Sequence, residues 1–547
     1  MDVPSRPVGP VDDVTIITRW LKYCATNHRK CRKTASELGD FLRDEVVTLP
    51  TRVVDVIGTA ENGHQPFLLE TKGLKGRYLT LSHCWGSVKV TTTTCLTIDL
   101  FKERISTHAL CQNFRDAILV TQRLGFQYIW IDSLCIIQDR YEDWDIESSQ
   151  MARIYNLSTL TISAASASSA EEGFLWPRIS YEEISAKIPH RDRSGKLNSY
   201  YYLAEPVKDF GKEVEDGPLN TRGWTLQERI LSRRNVFFGK DQFHWECQEA
   251  QWSESTDLIK QEFIDTSSGI SALRHIVHLA PDASHSVYTL WYSLVQAYTK
   301  RALTNDADIL PALSGIVSVF YKRLQVQHSN RYVAGLWTGD LARGLLWKSF
   351  GRLPEHQQKV RQPSWSWVSH YGRIEFGREV NSVLAVVDIQ DVDVDVKLSG
   401  KDQFGRVESA KLTFTGYIKA VPTVTRTGPN FQDENGSQPY VYTNAIMFDE
   451  QQQQIGAAVL DESNTALPGL LYCVPIRHDQ SGAPLSVRNI DALLLRKVDG
   501  GECCYQRVGT AQMGDSKVND ERGKQAPFAS PFQVFFYDAP KQRISVI

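Results

Sequence analysis

Between Tyr128 and Ile137 the chain reads YIWIDSLCII, apolar at every position except Asp132 and Ser133. A strand with one face in water alternates apolar and polar residues, so a run this uniformly apolar suits a central strand of a parallel sheet, covered by helices on both faces. The flanking sequence agrees. YLTLSHCWG at 78–86 reads as a strand that ends in glycine, and CQNFRDAILVTQRL after it places Phe114, Ile118, Thr121 and Leu124 on one helical face. Beyond the apolar run, DWDIESSQMARIYNL carries Trp144, Met151 and Ile154 or Tyr155 as a second helical stripe, followed by a third strand, STLTISAA. Two strand-helix-strand crossovers in succession predict a three-layer α/β core.

Bulk properties narrow the class of protein. The 547 residues predict three or four domains, and 42% hydrophobic residues suffice for a packed core in each. The net charge of −3 and the lack of any Lys- or Arg-rich block argue against nucleic acid and anionic membrane as partners. The first residues, MDVPSRPVGPVDDV, contain no apolar leader, and no window approaches the ~18 apolar residues of a membrane helix, so a cytoplasmic protein is expected. Ten cysteines are too sparse for a disulfide scaffold, and several sit inside apolar strands, so they are expected reduced. Neither GxGxxG nor GxxxxGK[ST] occurs, and no cofactor is expected.

In chain order, residues 1–75 read as a helical and support segment that includes a strand candidate, TRVVDVIG at 51–58. There Ile17, Leu21, Cys24, His28 and Cys31 share one helical face. That stripe is either core or, through Cys24, His28 and Cys31, three ligands of a zinc site whose fourth ligand the spacing does not identify; the segment is taken as core, with no metal assigned. Residues 76–250 hold the α/β core, with an aperiodic insertion at 166–217 of the kind that lids a pocket. Residues 251–380 read as helical, with a proline at the first turn of PALSGIVSVFYKRL. From 381 to the end, DVDVDVKL alternates with Val392, Val394, Val396 and Leu398 on one face, and KLTFTGYI, AIMFD, LLYCVPI, ALLLRKV, CYQRVG and FQVFFY recur between turns. These predict a β-rich C-terminal module.

Three segments in fixed order, LSHCWG, YIWIDSLCIIQD and RGWTLQERILS at 222–232, resemble the motifs of the fungal heterokaryon-incompatibility (HET) domain. LPALSGI, AGLW and PSWSWVS resemble the region that often follows it, so the likeness spans most of 20–380. The resemblance implies a fold related to Toll/interleukin-receptor (TIR) domains, hence a TIR-like, flavodoxin-like core. It also implies a role in nonself recognition that triggers regulated cell death, with NAD glycohydrolysis as the candidate chemistry. In NAD-cleaving TIR relatives the catalytic glutamate lies four residues after a tryptophan, a spacing that Trp224 and Glu228 match.

The residues themselves allow that reading and a plainer one. Four residues apart on a helix, Trp224 and Glu228 lie one turn apart on one face, and a desolvated carboxylate beside an aromatic wall suits an oxocarbenium-like transition state. Against this, Glu228 among Arg222, Arg229 and Arg233 equally suits a structural ion pair. Asp132, alone in an apolar stretch, needs a partner, and Arg222 is the candidate; at a strand's C-terminal end Asp132 also suits a ribose hydroxyl. Strand alternation sends Ser82 and Cys84 to one face and His83 and Trp85 to the other, which makes a cysteine–histidine pair a poor fit. Trp85 suits ring stacking or core packing, and Gly86 close backbone approach. The substrate-binding candidates are thus Ser82, Trp85, Gly86, Asp132, Arg222 and Trp224, with Glu228 catalytic. Expected partners are NAD or another small molecule, a second copy of the chain, or a partner protein. Two rivals stand beside the NAD reading: an enzyme of secondary metabolism on the same scaffold, and a non-catalytic oligomerising adaptor.

Overall fold

The computed structural model describes residues 14–32, 46–88, 90–177, 186–203, 207–255, 284–324, 330–350, 362–370, 372–377, 385–426, 444–452, 454–461, 470–479, 490–498, 503–513, 535–536 and 538–547. The chain divides into two units, one of Met1–Leu279 with Arg301–Leu303 and Ala312–Val319, the other of Ala280–Lys300, Thr304–Pro311 and Phe320–Ile547.

The first unit begins with helix α1 (Thr15–Asn27) and is built on an eight-stranded mixed sheet. Its strands are β1 (Arg52–Asp55), β2 (Phe67–Glu70), β3 (Tyr78–Ser82), β4 (Tyr128–Trp130), β5 (Leu160–Ser163), β6 (Arg234–Phe238), β7 (Phe243–Cys247) and β8 (Gln251–Ser253), in the spatial order β8-β7-β6-β5-β3-β4-β1-β2. The four central strands, β4-β3-β5-β6, run parallel, while β1 joins β4 and β7 joins β6 antiparallel. The chain therefore steps from β3 to one side, returns across it to β5, and continues outward. Every residue of β3, β5 and β6 is buried, as strands covered on both faces must be. Hydroxyls pair in this core: Thr80 of β3 meets Thr161 of β5 at 2.7 Å, and Thr161 meets Ser232, two residues before β6, at 2.6 Å.

Helix α2 (Gln112–Arg123) buries the expected Phe114, Ile118 and Thr121, with Leu124 half-buried at its end. One expectation needs correction. The apolar run is interior, between β3 and β1, but only Tyr128–Trp130 is strand; Asp132–Cys135 turns into a one-turn helix, α3. The Ser133 amide donates to Asp132 Oδ1 at 2.7 Å, and Arg52 Nε donates to the Cys135 carbonyl at 2.6 Å, so side chains satisfy both ends of the turn. Burial on all sides looks alike in sequence for a central strand and a core turn. Helix α4 (Tyr141–Leu157) follows and buries Met151, Ile154 and Tyr155, while Trp144 is half-buried. In the expected insertion, Ala186–Arg191 and Leu197–Leu203 form an antiparallel hairpin.

Helix α5 (Gly223–Leu231) carries the third motif and is fixed at three points. Arg229 makes a bidentate pair with Glu246 of β7 at 2.9 Å, the Gly315 amide donates to Gln227 Oε1 at 2.8 Å, and Arg301 donates to Thr225 Oγ1 at 3.2 Å. A Cβ at Gly315 would stand 2.5 Å from Gln227 Oε1 and 2.7 Å from Ala152 Cβ, so only glycine allows this approach.

In the second unit, α6 (Ser284–Tyr298) and α7 (Pro311–Leu324), whose residues 312–319 count with the first unit, are joined by two short antiparallel pairs, Tyr332–Val333 with Leu336–Trp337 and Lys348–Phe350 with Arg373–Glu375. The sequence-distant AGLW and PSWSWVS segments are partners: Ser366 Oγ donates to the Ala334 carbonyl, and Trp367 Nε1 to that of Gly335 at 2.9 Å. An eleven-stranded β-system from Ala385–Val387 to Lys541–Val546 completes it. Two details depart from expectation. Val392 is 41% exposed, because the strand Gln390–Leu398 bulges after Gln390, with Asp391 at φ 51°, and loses the alternation there. Of FQVFFY at 532–537 only Phe535 and Phe536 are described, and neither is in a strand; the other four lie outside the described residues, and Lys541–Val546 pairs with the sheet. Among the described residues no helix is long and apolar enough to cross a membrane.

Candidate functional site

Ligands of open parallel sheets bind beyond the carboxyl ends of the strands, where consecutive connections diverge. Here that point lies between β3 and β5, and the residues that end or follow the parallel strands are Ser82 on β3, Asp132 after β4 and Ser163 on β5, with Ser82 and Ser163 in register. Glu228 reaches this group from α5. It is 6% exposed, and its ionisation is pushed up to about 7, first by burial and further by the Asp132 charge, while Ser82, Arg222 and Tyr155 draw it back. Its Oε2 finds no hydrogen-bond partner among the described residues.

The arginines that would make Glu228 an ion-pair member are engaged elsewhere. Arg229 is bound to Glu246 and Glu215, and Arg233 donates to the carbonyls of Asn156 and Ser158. Arg222 donates to the His83 carbonyl at 2.5 Å, and its charge acts on both carboxyls. Asp132 is also raised, by burial, against the pull of Arg222, the Ser133 amide and the Trp85 side chain. One guanidinium thus faces two desolvated carboxyls, and the surplus negative charge is removed by a proton held near neutral pH.

Ser82, Asp132, Arg222 and Glu228 therefore come together, with Trp85 beside Asp132. Trp224 is half-buried and packs edge-on against Trp144, ring centres 6.5 Å apart. Gly86 sits in the loop after β3 at φ +70°, and a Cβ there would stand 2.5 Å from Ser169 Cβ. Strand β3 ends at Ser82, earlier than LSHCWG suggests; His83 packs edge-on on Phe114, and Cys84 is buried. Burial and Arg222 lower His83 to about 3, and burial lifts Cys84 to about 11, so a neutral imidazole stands beside an un-ionised thiol and the two do not form an activated pair at pH 7.

Sequence reading missed Tyr155. It appears in the sequence only as part of a helical stripe, yet its hydroxyl donates to the Leu81 carbonyl at 3.1 Å and faces Glu228, and burial drives its ionisation far upward, with the Glu228 and Asp132 charges adding to it. A phenol on a core stripe needs a polar partner, which is the signal that was there to use. Among the described residues, the side chains able to hold a metal are Cys24, His28, Cys31 and Cys247, none of which belongs to the Glu228 group.

No curated protein and no solved structure matches the chain. A family model does: Heterokaryon incompatibility protein (HET), over residues 78–228, from the first residue of β3 to Glu228 itself. The chain carries a heterokaryon-incompatibility (HET) domain at residues 78–228.

Proposed function

We propose that this chain acts in fungal nonself recognition and that its HET domain triggers cell death by hydrolysing the N-glycosidic bond of NAD. The observation that carries the reading is the Glu228 carboxyl: buried, outside any ion pair among the described residues, with one oxygen unpartnered, at the divergence of β3 and β5. The parallel order, with the second strand beside the first and the third and fourth on its other side, supports the TIR-like and flavodoxin-like relationship.

In the reaction the bond from C1′ to the nicotinamide nitrogen breaks, its electron pair leaves on neutral nicotinamide, and the positive charge passes to the ribose as an oxocarbenium ion. Ionised Glu228 stabilises that charge, Ser82 and Asp132 hold ribose hydroxyls, and Trp85 and Trp224 offer ring faces. Water adds to C1′ and its proton passes to solvent, giving ADP-ribose, nicotinamide and a proton. Because Glu228 must be ionised, the rate rises with pH through about 7.

Purified protein is expected to release nicotinamide from NAD, and Glu228→Gln to slow this by roughly 10²–10³-fold, the usual cost of one electrostatic stabiliser. If folded, assembled wild type and variant are equally inert, the hydrolase reading fails. Toxicity that survives Glu228→Gln in cells supports the adaptor instead.

A further inference from the structure

We infer that Cys24, His28, Cys31 and Cys247 form a closed structural zinc site. Cys24 lies in the last turn of α1, His28 directly follows that helix, and Cys31 lies in the next helical turn, Arg29–Arg32. The fourth residue, Cys247, ends β7 and comes from 216 positions downstream of Cys31. This is the ligand that the spacing of the first three left unidentified.

Geometry and chemistry agree. The four ligand atoms all lie within 4.8 Å of one another, and His28 Nδ1 is 3.2 Å from Cys247 Sγ. Zinc–sulfur bonds of about 2.3 Å and zinc–nitrogen bonds of about 2.0 Å at tetrahedral angles demand ligand separations of roughly 3.5–3.8 Å. An ion at the centre thus needs only small side-chain adjustments. All four residues are buried, at 2% exposure or less. A disulfide would use two of the cysteines and leave the third, with the imidazole, directed at the same point for no reason.

Two surroundings of the cluster point to a bound ion independently of the donors. Three thiolates and a neutral imidazole around Zn²⁺ carry one net negative charge, and the buried Arg234 directs Nε at Cys24 Sγ, 3.2 Å away. An aromatic shell excludes water: Trp252 lies 5.5 Å from the His28 ring and stacks on Trp245 at 6.0 Å, and Trp20 packs on both. The ion would fasten α1 to the antiparallel edge of the sheet, one residue from the Glu246 that anchors α5.

Wild-type protein purified without chelator is expected to contain one zinc per chain by elemental mass spectrometry. Protein produced with cobalt should show the intense visible bands of tetrahedral Co²⁺ and thiolate charge transfer in the near ultraviolet. Cys247→Ser and His28→Ala should lose the metal, while Cys95→Ser, at an exposed cysteine outside the cluster, should retain it. Wild type without stoichiometric metal, or with an intact mass short by two hydrogens and thiols that appear only after reduction, overturns the proposal. Because these readings are made on wild type, a Cys247→Ser chain that fails to fold does not protect it.

Discussion

A carboxyl that ionises near 7 instead of 4.5 makes folding depend on pH. Between those values the folded chain keeps the Glu228 proton that the unfolded chain releases, so stability falls as pH rises, by up to about 3 kcal/mol above pH 7. Glu228→Gln removes this penalty. The variant should gain stability over wild type at pH 8 by about 3 kcal/mol and show little difference at pH 4, read by urea denaturation at both; an equal difference at the two pH values would show that Glu228 is solvated. At Gly86 the positive φ and the approach to Ser169 both exclude a side chain. Gly86→Ala should cost roughly 1–3 kcal/mol, visible as a lower melting temperature. The four-residue spacing from Trp224 singled out Glu228 as a candidate through its likeness to TIR relatives. It did not reveal that Trp224 faces Trp144, because helical spacing fixes a side but not the neighbour across it.

Among the elements, α5 depends most on charge inside the core. Arg229 and Glu246 are both buried, and Arg229 also lies over the rings of Phe210 and Phe237. Arg229→Met strands the Glu246 carboxylate and should cost roughly 3–5 kcal/mol, whereas Arg229→Met with Glu246→Met should recover most of that loss, since two apolar side chains can replace a buried pair. Calorimetry on the two variants tests this; equal destabilisation would mean that the rings, not the charges, hold α5. Strand and helix alternation was readable because its periodicities are local. The extent of β4 was not, since a buried turn such as α3 depends on Arg52 and its own Asp132, which periodicity cannot weigh. The fourth ligand of the N-terminal cluster, Cys247, escaped for a similar reason: a strand brings it in from beyond the reach of any spacing rule.

On the scale of the whole molecule, each unit holds an arginine at the centre of its own network. In the second, Arg507 lies 3.4 Å from the centre of the Trp347 ring, donates to the carbonyls of Leu345 and Trp347 at 2.6 Å, and pairs with Asp461. Arg507→Leu should lower the melting temperature while leaving nicotinamide release from NAD and metal content as in wild type, because every residue assigned to those roles lies in the first unit. Sequence patterning had indicated a core followed by helical and β-rich parts. It gave no sign that residues 301–303 and 312–319 return to the first unit, since such returns depend on single contacts such as Gly315 with Gln227.

That contact bears on the order of events during synthesis. A ribosome delivers the chain from its N-terminus, and β3, β4 and β5 are all available by residue 163, yet α5 has its three fixings only after Glu246, Arg301 and Gly315 have emerged. A chain broken off before Glu246 carries Ser82 and Asp132 but none of the three fixings of the helix that bears Glu228. For the proposed death-inducing output, copies broken off before Glu246 are expected to be inactive.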